Sequence, residues 1–208
     1  MASEEAALRR KAERMAAIAG LARTVQHDIN NLLTVIFANL EMLKRTAAEG
    51  PPQRQLTRVE EAARRFDGTS RAILSLIRRP AGEVVAIRLS DALAALHPLL
   101  HMILPAPGAL VVELAERDPP VLIERTALEE ALLALAQQIA ETQPRGLALT
   151  LAVADQAGAG ELAVRLPAGL APPALARLAA FAEAGGGTAE GGEGSLRLRL
   201  PPAAAGGG

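Results

Sequence analysis

The sequence predicts an α+β protein: a helical hairpin over residues 1–80, a small α/β sandwich over 81–201 and a flexible tail over 202–208. Three observations carry this reading. In the first 80 positions apolar residues recur at alternating intervals of three and four, the pattern of a helical seam. One break, "EGPPQ" at 49–53, divides that stretch in two. After Pro80 the texture changes to shorter runs punctuated by Gly and Pro.

Composition points the same way. Of 208 residues, 50% are hydrophobic and only 1% aromatic, with Ala and Leu dominant, which favours helix-rich packing in one ordinary domain or two small ones. The absence of cysteine excludes disulfides and thiolate metal sites and favours a cytoplasmic address. No apolar run is long enough to span a bilayer, and "MASEEAALRRKAERM" lacks the apolar core of a signal peptide, so no membrane partner is expected. The formal charge of −1 conceals an asymmetry: residues 1–80 hold 14 Lys/Arg against 9 Asp/Glu, and residues 81–208 hold 8 against 14. Halves of +5 and −6 imply surfaces with different partners.

Met15, Ile18, Ala22, Val25, Ile29, Leu32 and Ile36 form the first seam, on a helix expected over 3–48. Gly50, Pro51 and Pro52 stop it. Leu56, Val59, Ala63, Phe66, Ser70, Ile73 and Ile77 form a second seam up to Pro80. Two helices cannot surround so wide an apolar stripe, and a homodimer in a four-helix bundle is the economical solution. Packing of the hairpin on the rest of its own chain is the alternative. Beyond Pro80, "EVVAIRL" and "ALVVELA" read as strands, with Ser90 capping a helix between them through about Leu104. Residues 126–142 read as a helix, followed by strands at "LALTLAVA", "ELAVRL" and "SLRLRL" and a helix at "PPALARLAAFAEA". The glycines around Gly185 and "EGGEG" read as turns. Helices on one face of a mixed or antiparallel sheet complete the sandwich.

Within the first helix, "QHDINNLLTVIFANLEML" interrupts the apolar pattern with a polar cluster. With Val25 at heptad position d and Ile29 at a, His27 falls at f, farthest from the seam. Asp28 adjoins it, and Arg23 and Asn31 share its face at four residues on either side. A carboxylate beside an exposed imidazole can select one tautomer and leave the other nitrogen free to attack. The bland reading is that any exposed helix carries polar residues and His27 is one of them.

This stretch resembles the phosphoacceptor box of bacterial histidine kinases of the His-Asp-x-Asn-Asn type, through His27, Asp28, Asn30, Asn31, Leu32, Leu33 and Thr34. The resemblance implies that His27 carries a phosphoryl group, Asp28 acts as base or orienter and Asn31 assists. Thr34, the next f position, extends the docking face with Asn30 and Arg23. It extends, more weakly, over the second half, which looks like a degenerate Bergerat-type ATP-binding domain. Where that family has asparagines for magnesium, this chain has Ala134 and Gln138, with Glu141 nearby; where it has an adenine-reading aspartate, Arg165 or Leu166 stands, and only Gly169 survives of the glycines. No glycine-rich lid, P-loop or dinucleotide fingerprint is present. The expectation is that this chain binds no cofactor, neither ATP nor metal.

The resulting expectation is a dimeric histidine phosphotransferase of the ChpT type, relaying a phosphoryl group between the aspartates of donor and acceptor response-regulator receiver domains through His27. Mg2+ would reside on the receiver. Arg58 and Arg65 suit an acidic protein partner; nucleic acid is disfavoured without stacking aromatics. The main alternative is a non-catalytic pseudo-histidine-kinase that binds or inhibits a kinase or receiver, and a weaker one is a kinase with an unusual nucleotide site. His97 and His101, four apart in "HPLLH", could face one metal, but no third ligand is evident. "DPP" at 118–120 reads as a turn.

Overall fold

The computed structural model describes residues 2–142, 148–156, 158–167, 173–192 and 194–203, with side chains described at Ile18 and from Leu21 onward apart from Arg23 and Thr142. The chain divides into two compact units at the Arg79–Pro80 junction.

Two helices make the first unit: α1 (Ala2–Thr46) and α2 (Pro51–Arg78). Pro51 and Pro52 open α2, where a missing N–H leaves no helical bond unmade. Gly50 ahead of them turns the chain at φ 104°, a backbone conformation that disfavours a side chain. The antiparallel register is fixed at both ends: Lys44 Nζ donates to Glu60 Oε2 at 2.5 Å, and Arg78 Nη1 donates to Gln26 Oε1 at 2.5 Å. Between them the Arg64 guanidinium lies over the Phe37 ring.

The seam differs from the predicted one. Ala22, Leu33 and Leu40 are buried and Ile29 is half-buried, so α1 meets α2 through heptad positions a and e. On α2, Leu56, Ala63, Ser70 and Ile77 at a positions are half-buried and Leu74 at e is buried. Five d residues remain outside: Val25 is 45% exposed, Leu32 64%, Val59 50%, Phe66 55% and Ile73 40%, while Ile18, also at d, is half-buried. Ile36 stays exposed as well, and Met15 lies outside the described side chains. At about 100° per residue, the exposed stripe on each helix lies roughly 90° from the buried line. For antiparallel helices, that offset brings both stripes to the same side of the hairpin. The sequence pattern had merged the buried line and an exposed apolar stripe into one seam.

The second unit is α+β. Its elements are β1 (Val84–Ile87), α3 (Leu89–Ile103), β2 (Leu110–Leu114), β3 (Val121–Glu124), α4 (Arg125–Thr142), β4 (Leu149–Gln156), β5 (Ala159–Arg165), α5 (Pro173–Ala184), β6 (Thr188–Gly192) and β7 (Ser195–Leu200). Five strands form a mixed sheet in the order β2-β4-β5-β7-β6, parallel only between β2 and β4, while β1 and β3 form an antiparallel pair. Leu149, Leu151, Val153, Leu162, Val164, Leu196, Leu198 and Leu200 alternate inward along the sheet and are buried. The buried stripes of the helices are Leu89, Leu93, Leu96 and Leu100 on α3, and Leu128, Leu132, Leu135 and Ile139 on α4.

Four expectations change here. Ser90 does not cap α3, which begins one residue earlier; its backbone N–H instead donates to Asp118 Oδ2 at 2.8 Å, so the "DPP" turn supplies the cap. Residues 121–124, too short to stand out beside a helix, form β3. "TAEGG", read as turn material, is β6, because a backbone ladder to β7 needs no large side chain. The predicted tail begins too early: Pro202 bridges Val121, Leu122 N–H donates to Pro201 O and Ala203 N–H donates to Pro120 O. Residues 204–208 of that tail lie outside the described residues.

Glu60 joins the register contact to a second cation, since Arg64 Nε and Nη2 donate to its Oε1 at 3.1 and 2.7 Å. The Lys44 hydrogen bond, then that of Arg64, hold its carboxyl below the ordinary 4.5. A depressed carboxylate contributes stability that is present above its unfolded value and lost as pH falls through the folded one. Denaturant melts of the wild type and Glu60→Gln should therefore differ at neutral pH and converge as pH falls through the depressed carboxyl value of Glu60. Curves separated equally at all pH values would show that the ionised carboxylate contributes nothing.

Candidate phosphoacceptor site

α1 is continuous through the polar cluster, and its period decides where each side chain points. His27 lies roughly 130° around α1 from the buried line and roughly 140° from the exposed apolar stripe. It is thus turned away from both apolar surfaces, with its side chain 74% exposed. Asn30 and Thr34 share its side and are exposed. Thr34 Oγ1 donates to Asn30 O at 2.8 Å, so the hydroxyl is spent on the helix backbone.

Two neighbours meet the same ring nitrogen. Asp28 Oδ1 is 3.4 Å and Asn31 Nδ2 3.2 Å from His27 Nδ1. One nitrogen cannot donate to the carboxylate and accept from the amide at once. The carboxylate contact is charge-assisted, a class roughly twice as strong as a neutral pair. It favours the Nδ1–H tautomer, in which Asn31 turns its amide oxygen inward. Nε2 then carries the free lone pair, on an exposed side chain.

The structure brings His27, Asp28 and Asn31 together, with Asn30 and Thr34 alongside. Arg23 lies on the same helix face by period, and its side chain is outside the described residues. Arg58 and Arg65 are not with them. Lys44 stands opposite Glu60 and Gln26 opposite Arg78, so His27 is level with Ile77, Arg65 with Asn39 and Arg58 with Thr46. At 1.5 Å per residue those arginines lie roughly 18 and 28 Å along the hairpin, on the side of α2 turned away from α1. Both are exposed and have no ion pair among the described residues.

The positions where the resemblance implies a magnesium–nucleotide site do not fit one. Ala134 offers a methyl group. Gln138 Oε1 accepts from Ala174 N–H at 2.8 Å, capping the first turn of α5. Arg165 pairs with Glu113 of β2, and Leu166 N–H donates to Gly194 O at 2.6 Å in the turn between β6 and β7. Glu141 is exposed, and Gly169 lies outside the described residues. A groove of about 600 Å³ opens beside α4 and α5, lined by Leu122, Ala131 and Phe181 together with the charged Glu124, Glu130 and Arg177, and none of Ala134, Gln138, Glu141, Arg165 and Leu166 lines it. Among the described residues no group of three His, Cys, Asp or Glu could hold a metal. His97 and His101 are both exposed on α3, their ring centroids 6.1 Å apart. No described helix is long and apolar enough to cross a membrane.

No protein-family model matches the chain, and no curated protein matches it. Solved structures similar to it include histidine kinases. The Acinetobacter baumannii histidine kinase AdeS is 15% identical with a TM-score of 0.47, over 85% of this chain and 98% of that one. Full-length ShkA in complex with AMPPNP is 17% identical with a TM-score of 0.45, over 90% of this chain and 47% of that one. Histidine kinase ThkA in complex with the response regulator protein TrrA is 16% identical with a TM-score of 0.47, over 94% and 65%.

Nitrogen chemical shifts of the imidazole, read in the wild type and in Asp28→Asn, report the tautomer. The neutral ring should carry its proton on Nδ1 in the wild type and shift toward Nε2–H in the variant. A tautomer ratio unmoved by the substitution would show that Asp28 does not orient the ring.

Proposed function

We propose that the chain is a histidine phosphotransfer protein that works as a homodimer in the cytoplasm, taking a phosphoryl group from one response-regulator receiver domain and passing it to another without binding ATP. The observation that carries this reading is the arrangement at His27: an exposed imidazole, oriented at Nδ1 by Asp28, with Nε2 open to an incoming group. In the accepting step the Nε2 lone pair forms the P–N bond as the P–O bond to the donor's aspartate breaks. That electron pair stays on the aspartate carboxylate, and the Nδ1 proton, already directed at Asp28, passes to solvent. Donation to the second receiver reverses these changes. Such transfer is mostly positioning and electrostatics, which suits a site with no deep pocket. The Mg2+ belongs to the receiver.

Incubation with phosphorylated receiver domains should place label on the wild type and not on His27→Ala, and Asp28→Asn should slow labelling by at least about 10-fold. A wild type that takes no label from any receiver of its organism would leave the chain as a binding module.

A second copy is the occupant proposed for the exposed d stripe. Val25, Leu32, Val59, Phe66 and Ile73 lie on one side of the hairpin, opposite His27. Burial of each such side chain contributes roughly 1.5–3 kcal/mol, against at most about 1 kcal/mol for an exposed ion pair. Leu32→Asp should therefore give a folded monomer by sedimentation. A stable dimer in that variant would place the interface elsewhere.

A further inference from the structure

We infer that Arg78, held in place by Gln26, is the docking arginine of the His27 face, pairing with a carboxylate of the receiver domain. This rests on the phosphotransfer reading above. The hydrogen bond from Arg78 Nη1 to Gln26 Oε1 joins residues 52 apart in sequence, and Gln26 is the chain neighbour of His27. The helical period sets Gln26 roughly 40° and Arg78 roughly 70° off the buried lines of their helices, both on the side of the hairpin that His27 faces and away from the apolar stripe.

The other arginines of the hairpin are differently disposed. Residues 70–79, at the end of α2 and level with the polar cluster, hold Arg71, Arg78 and Arg79 and no carboxylate. Arg71 Nε pairs with Asp67 Oδ1 at 2.8 Å, and Arg79 Nη2 donates to Ser75 Oγ at 2.7 Å. Arg64 is tied to Glu60. Arg78 is exposed and bound to a neutral acceptor, so its position is fixed while its charge stays unneutralised. An arginine held in this way loses little freedom on pairing with a carboxylate, and its remaining N–H groups form a planar fork suited to one. Asp28, the nearest acid on α1, is turned toward the His27 ring at Nδ1. The partner chemistry that fits is acidic: a receiver's phosphorylation pocket brings its own carboxylates to the His27 face.

Transfer from a phosphorylated receiver to His27 tests this when kcat and KM are measured separately across salt. In Arg78→Gln, KM should rise about 10-fold with kcat unchanged and a shallower salt dependence. Arg78→Lys should recover part of the loss, and Gln26→Ala, which keeps the charge and removes its anchor, should raise KM a few-fold. Arg58→Gln should behave as wild type. KM within two-fold of wild type in Arg78→Gln, an equal loss in Arg58→Gln, or a fall in kcat alone would overturn the assignment while leaving phosphotransfer intact. A wild type that accepts no label would overturn both.

Discussion

The antiparallel register of the hairpin is the constraint on which the candidate site depends. Lys44–Glu60 near the loop and Gln26–Arg78 near the open end fix how α2 lies along α1, and the a and e residues between them fix how each helix is rotated. Once rotation is set, a helix has no freedom in where its remaining faces point. His27 must then face solvent, whatever the polar cluster's own preferences. Rotation of α1 by one residue would turn the imidazole about 100°, enough to carry it off its face. The Lys44–Glu60 ion pair and the Arg78–Gln26 hydrogen bond select the register, and the apolar a and e contacts supply most of the energy that holds it.

Two kinds of polar group therefore lie on the hairpin. Glu60, Lys44 and Arg64 satisfy one another and belong to the scaffold. His27, Asp28 and Asn31 are left to solvent, held only by contacts among themselves. The second unit shows the same economy at positions where the resemblance led to an expectation of nucleotide ligands. The Gln138 carbonyl is engaged by the first turn of α5 and the Arg165 guanidinium by Glu113, so both groups serve internal packing.

Most of the elements were legible in the sequence because their signals are local. The 3- and 4-residue spacing marked both helices of the hairpin, and alternation marked β4, β5 and β7. What escaped depends on partners far along the chain. Val121–Glu124 is a strand because it pairs with β1 and with Pro202, and Thr188–Gly192 because it pairs with β7. The cap on α3 comes from Asp118, 28 residues beyond Ser90. At the site, periodicity put His27 outward and Asp28 and Asn31 beside it. It did not show that Arg58 and Arg65 lie on another side of α2, because that requires the register between helices. Gln26–Arg78 was invisible for the same reason.

The late pairing of Pro201–Ala203 with β3 also bears on how the chain is made. The contacts of the hairpin close over short loops near Gly50, and can form while the second unit is still being synthesised. β3 must wait some 80 residues for the segment that completes its edge. Until then Val121 and Ile123, buried in the finished fold, lack that cover. A chain emerging from the ribosome would thus present a formed helical hairpin ahead of an unfinished sandwich, and proteolysis in that interval would release the hairpin alone.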